Sequence, residues 1–170
     1  MSEKQFAYLL SYDFDDTGHY CVESDTKGFN EYRFYDGKWI EDWPEDILFI
    51  VEGEKIEDFM VCYLHYMLIS ERVRCALVEK DIQGVQYLPV RVVHRLTKEN
   101  LGPYWALNVI PTVEKLRWNS IQGKDLFRFG STSVFISESL KNSLEQAQLT
   151  SGAGFGRIPQ RTLDREDPPK

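Results

Sequence analysis

Met67-Leu68-Ile69-Ser70-Glu71-Arg72-Val73 and Val134-Phe135-Ile136-Ser137-Glu138-Ser139-Leu140 are one phrase written twice, the second copy 67 residues after the first. The first copy runs on through Leu77 to Ile82-Gln83-Gly84 and ends at Tyr87. The second runs on through Leu144 to Leu149-Thr150-Ser151-Gly152 and ends at Phe155, with one residue inserted before its glycine. Each copy reads as an apolar strand, a Ser-Glu junction, about ten residues of helix and a glycine stop. A serine hydroxyl accepts from a free N–H of the first helical turn, and the glutamate after it sits near the positive end of the helix dipole. Val73 with Leu77, and Leu140 with Leu144, give each helix an apolar stripe. Gly84 and Gly152 are expected to end the helices. Two such cassettes packed on a common sheet form the economical architecture.

The remaining chain reads mostly as strands. Val85 to Arg95 alternates, and Tyr104 to Ile110 is a strand stopped by Pro111 after a turn at Asn100-Leu101-Gly102-Pro103. Val113 to Trp118 suits one helical turn, and Leu126 to Phe129 a strand. Upstream, residues 6–14 and 19–22 flank a turn at Asp15-Asp16-Thr17-Gly18 and predict a hairpin. Residues 28–40 suit short strands or an ordered loop, 47–51 a strand, and 55–66 either helix or strand. Gly152 to Gly156 reads as a helix C-cap and a flexible turn, and residues 159–170 as a disordered tail. The expectation is an α+β fold with a mixed or mostly antiparallel sheet. Residues 1–158 form one domain in this reading, with an acidic, strand-rich part at 1–57 and the repeated phrases in 58–158.

The chain has 170 residues, enough to bury a proper core, and is 42% hydrophobic and 14% aromatic. No apolar run approaches the roughly 18–20 residues of a membrane helix. The start, Met1 to Gln5, lacks a secretory pattern, and Cys21, Cys62 and Cys75 are odd in number and widely spaced, so a reduced cytoplasmic chain is expected. The net charge of −7 is uneven: residues 1–60 carry 16 acidic and 5 basic side chains, and residues 61–170 carry 11 and 15. An acidic first part argues against nucleic acid as its partner and suits a basic protein surface.

Asp13-Phe14-Asp15-Asp16-Thr17 matches the D-x-D-x-T pattern of haloacid-dehalogenase-like phosphatases, in which the first Asp attacks phosphorus and the second is acid and base. The later lysine and paired acids of that chemistry are missing, so a β-turn rich in Asp is the expected role. Gly152-Ala153-Gly154-Phe155-Gly156 follows a helix rather than a strand, unlike a dinucleotide fingerprint. His19, His65, His94 and the cysteines make no paired metal motif, and no nucleophile elbow or Walker loop occurs. No catalytic residue, metal ligand or cofactor site is assigned. What remains is a docking surface of aromatic anchors among acids: Trp39, Glu41, Asp42 and Trp43, with Asp13, Asp15 and Asp16. The competing reading makes Trp39 and Trp43 core residues.

The phrases Leu68-Ile69-Ser70-Glu71, Tyr104-Trp105-Ala106-Leu107-Asn108-Val109-Ile110, Val113-Glu114-Lys115-Leu116-Arg117-Trp118, Leu126-Phe127-Arg128-Phe129 and Val134 to Lys141, followed by Leu149-Thr150 and Gly152 to Phe155, occur in an order that resembles a bacterial family. That family comprises immunity proteins of polymorphic toxin systems, formerly a family of unknown function. The resemblance covers residues 58–158 and leaves 1–57 unmatched. Arg117 departs from it, standing where relatives often carry an acid, and Ser151 displaces the glycine. The resemblance implies a non-enzymatic cytoplasmic protein that neutralises the C-terminal toxin domain of a cognate protein, without membrane or nucleic acid; self-association into a homodimer stays open. The alternatives are a phosphatase using Asp13 and Asp15, or a general interaction scaffold.

Overall fold

A computed structural model describes residues 6–12, 20–24, 30–44, 47–53, 57–62, 67–131 and 133–164. In chain order the strands are β1 (Ala7–Tyr12), β2 (Tyr20–Ser24), β3 (Leu48–Glu52), β4 (Phe59–Cys62), β5 (Met67–Ser70), β6 (Val85–His94), β7 (Asn100–Val109), β8 (Thr112–Val113), β9 (Leu126–Phe129), β10 (Ser133–Ser137) and β11 (Ala153–Arg157). A 3-10 helix spans Glu31–Asp36, and the α-helices are α1 (Glu71–Glu79), α2 (Trp118–Ile121), α3 (Glu138–Gln146) and α4 (Gln160–Leu163). The fold is α+β with mixed sheets. Six strands close into a barrel in the order β2-β3-β6-β7-β5-β4, and five form an open sheet, β11-β1-β10-β9-β8.

The repeat is deeper than its sequence. The barrel strands β2-β4-β5-β7-β6 and the sheet strands β8-β9-β10-β1-β11 have the same neighbours and the same relative directions. The registers agree too. Phe59 faces Ile69 as Leu126 faces Ile136, 67 residues on, while Tyr20 pairs with Val61 as Thr112 pairs with Arg128. Trp105 lies opposite Ile69 as Tyr8 lies opposite Ile136. The second unit therefore takes from the N-terminus, as β1, the strand that the first takes from β7. Only the first unit has β3, which lies parallel to β6 and antiparallel to β2 and so closes the barrel.

Apolar faces follow this plan. Val73, Leu77, Leu140 and Leu144 of the two helices share one core with Phe59, Ile69, Leu126, Ile136, Leu107 and Leu10. The far face of the first unit fills the barrel with Phe49, Val51, Met60, Leu68, Leu88, Val92 and Ala106. The far face of the second unit packs Ala7, Phe127 and Phe135 under Ile121 of α2, Ile158 and Leu163 of α4. Leu163 is 2% exposed, and the Trp118 indole N–H donates to Asp164 at 2.9 Å, so the disordered tail expected from residue 159 is corrected as far as 164.

Six other expectations are corrected. The cassettes do not share a sheet, because β5 belongs to the barrel and β10 to the open sheet. Residues 6–14 and 19–22 do not pair as a hairpin, since β1 lies between β10 and β11 while β2 pairs with β3 and β4. Asn100 to Pro103 is the start of β7 rather than a turn, and the helical turn expected at 113–118 lies at α2, after a short strand β8. Nor do the glycines end the helices. Asp81 (φ 53°) and Gln148 (φ 55°) do, with Ile82 N–H bonded to Leu77 O and Leu149 N–H to Leu144 O, the Schellman pattern twice over. Gly152 to Gly156, read as a helix C-cap and a flexible turn, runs into β11 at Ala153.

Each strand-to-helix junction is locked in the same way. Ser70 Oγ accepts from Val73 N–H at 3.3 Å and donates to Asp58 Oδ1 at 2.6 Å, and Ser70 N–H donates to Asp58 O at 2.9 Å. Ser137 does likewise with Leu140 N–H (3.1 Å), Asp125 Oδ1 (2.7 Å) and Asp125 O (2.8 Å). The next residue clamps helix to sheet. Glu71 accepts from Arg74 Nε (2.8 Å) and Nη2 (2.6 Å) and from the Trp105 indole N–H, and the Arg74 guanidinium lies 4.5 Å over the Trp105 ring. In the second unit Tyr8 Oη donates to Glu138 at 3.2 Å, and Lys141 lies 5.1 Å over Tyr8 and 5.4 Å over Phe155.

Two predictions follow from these locks. Ser→Ala at either cap costs about 1–2 kcal/mol from the cap alone. Asp58 is 5% exposed whereas Asp125 is exposed, so Ser70→Ala, which strips a donor from a buried carboxylate, destabilises more than Ser137→Ala. Urea unfolding of the two variants measures the difference. The Arg74 hydrogen bonds, against some desolvation and helped by the Trp105 N–H, hold the Glu71 carboxyl down at about 2 from an ordinary 4.5. A depressed carboxyl stabilises the fold fully above its unfolded value and loses that contribution as pH falls through the folded one. Between pH 4.5 and about 2 the wild type should therefore lose more stability than Glu71→Gln, read from urea midpoints at pH 7 and pH 3.

Candidate docking surface

Between β2 and β3 the described residues do not continue the sheet. Residues 30–44 cross the barrel instead and are bound to it at several points. Asn30 Oδ1 accepts from Tyr32 N–H at 3.2 Å and starts the 3-10 helix; Gly37, at φ 58°, ends it. A Cβ at Gly37 would stand 2.9 Å from Thr112 Oγ1, so glycine is required by both conformation and space. Phe34 and Ile40 are buried in the barrel core. Two side-chain amides of the barrel wall then fix the loop backbone. Asn108 Nδ2 donates to Lys38 O at 2.8 Å, while Gln86 takes Ile40 N–H on Oε1 (3.0 Å) and gives Nε2 to Ile40 O (2.8 Å). From the second unit, the buried Arg128 donates Nη1 to Phe34 O, and burial lowers the pKa of its guanidinium.

Trp39 stands between two such anchored residues and is 59% exposed. Its neighbours cannot move without breaking bonds to Asn108 and Gln86, so the indole is presented to solvent by a fixed backbone. Tyr32 is 63% exposed and packs edge-on to Tyr35, with ring centres 5.7 Å apart. Around them are the exposed acids Asp36, Glu41 and Asp42. Asp42 forms an ion pair with Arg33, and that hydrogen bond is the main reason its carboxyl lies below the usual range. Trp43 behaves differently. Its indole N–H donates to Pro89 O at 2.8 Å and its ring meets Phe34 edge-on at 5.9 Å, inside the packed end of the barrel.

The four residues expected at 39–43 therefore divide. Trp39, Glu41 and Asp42 are exposed on one loop, and Trp43 packs against Phe34 and Pro89 at the end of the barrel. Asp13, Asp15 and Asp16 lie outside the described residues. Sequence reading passed over the supports Gln86, Asn108 and Arg128. A single amide in a strand carries no local signal, and each of these acts on a segment at least 46 residues away.

Among the described residues no helix is long and apolar enough to cross a membrane. No curated protein matches the chain. The model of an immunity protein family, Imm11, matches residues 8–116, more than half of the chain. The match takes in 8–57, which the sequence phrases left unassigned, and it contains the whole first unit with its loop 30–44; the phrases from 126 to 158 lie beyond it. On this match, the chain belongs to the Imm11 immunity protein family.

Proposed function

We propose that this chain neutralises a cognate polymorphic toxin by binding the toxin's C-terminal domain in the cytoplasm, without catalysis, through the surface of residues 30–44. The observation that carries the reading is Trp39, a large aromatic held outward by hydrogen bonds on both sides in a member of an immunity protein family. Exposed Trp and Tyr on a rigid base are what concentrated binding energy requires, because little side-chain or loop freedom is left to lose on association. The comparison of the two units supports the same place. Residues 30–44 and β3 are what the first unit has and the second lacks, so they are additions to a shared scaffold. The acids at 36, 41 and 42 fit a basic partner and would speed encounter with it.

Co-expression with the cognate toxin domain tests the reading: growth is restored if the chain neutralises, and a folded chain that leaves the toxin fully active overturns the proposal. Two substitutions then locate the surface. Trp39→Ala should change stability by no more than about 0.5 kcal/mol yet weaken toxin affinity at least tenfold by titration calorimetry. Trp43→Ala should destabilise the fold by about 2–4 kcal/mol, since its ring is part of the packed end of the barrel. Glu41→Lys should slow association and flatten its salt dependence while leaving dissociation nearly unchanged.

A further inference from the structure

Ser151 is the residue that the second copy of the repeat adds, and it has a defined use. Its hydroxyl accepts from Asp58 N–H at 2.8 Å and donates to Asp58 Oδ2 at 3.2 Å, and its carbonyl accepts from Phe59 N–H at 2.9 Å. Gly152 follows, where a Cβ would run into Phe59 O and stand 2.7 Å from Glu57 Oε2. The loop after α3 thus seats a Ser-Gly pair on the first unit's junction aspartate. The loop after α1 is one residue shorter and cannot do the same to the second unit. Beside Asp125, the counterpart of Asp58, there is instead a pocket of about 210 Å³ lined by Lys80, Ile82, Asp125, Ser139, Leu140 and Ser143. Asp125 Oδ1 accepts from Ser137 Oγ as Asp58 Oδ1 accepts from Ser70 Oγ, but no described residue takes the place of Ser151 at its Oδ2 and N–H.

Resting on the immunity reading, we infer that this pocket receives a Ser-Gly or Thr-Gly loop of the toxin, held on Asp125 as Ser151 is held on Asp58. The seat takes a hydroxyl that donates to a carboxylate and accepts from a peptide N–H, followed by a residue with no Cβ. Its volume is below the roughly 300–1,000 Å³ of small-molecule clefts and suits one or two residues of a protein loop. Ile82 in the pocket is four residues from Gln86, which holds Ile40 beside Trp39, so Ile82 and Gln86 are at most about 14 Å apart along the chain.

The test restores the missing residue. Insertion of Ser between Gln83 and Gly84 fills the seat with the chain's own loop. The variant should unfold at or above the wild-type temperature and bind the toxin domain at least tenfold more weakly by calorimetry. If the insertion prevents folding, Ser139→Phe, at an exposed α3 position lining the pocket, blocks it from the other side and should give the same loss. Wild-type affinity in a folded filled variant overturns this inference and leaves the Trp39 surface standing. A wild-type chain that binds no toxin overturns the immunity reading and this inference with it.

Discussion

A serine hydroxyl shared between a helix end and a neighbouring strand is the constraint on which the architecture rests. Ser70 and Ser137 each leave a strand, accept from the first free N–H of a helix and donate to an aspartate on the adjoining strand. One oxygen thus fixes the angle at which the helix departs and the register of the strand beneath it. Because both units make the same junction, their helices fall into one core, where Val73, Leu77, Leu140 and Leu144 meet. A change of strand register by one residue would turn Phe59, Ile69, Leu126 and Ile136 away from that core.

On this common frame the two units diverge at their far faces. The second covers its outer face with α2 and α4 and leaves the sheet open. In the first, β3 closes a barrel and residues 30–44 lie across it, pinned by Gln86, Asn108 and Arg128. The division of work between two tryptophans follows from those pins. Trp43 packs against the barrel end, and Trp39 stays exposed beside Ile40, which is buried and bonded to Gln86. The result is a rigid scaffold with an aromatic held out on it.

Sequence reading found the repeat through its local parts: serine caps, a glutamate in the first turn, and helical spacing of Val and Leu. It found the strands at 47–51, 85–95, 104–110 and 126–129 because alternation and apolar runs are local as well. It misplaced the partners of β1 and β2. Short loops favour a hairpin on entropy, and only the packing of β1 between β10 and β11 outweighs that preference. It also credited the helix ends to glycines, since left-handed Asp and Gln at 81 and 148 are uncommon and give no signal in composition.

By itself, then, the sequence determined that this is an α+β protein built on a duplicated strand-Ser-Glu-helix unit, with acids and aromatics gathered near residue 40 and phrases that resemble immunity proteins. Those features depend on neighbours within a few residues. Tertiary structure alone decided that the units lie in different sheets, that the N-terminal strand completes the second one, and that Trp39 faces solvent while Trp43 does not. Each of these turns on hydrogen bonds and packing between residues far apart in the chain, and such contacts leave no periodic trace in the residues that make them.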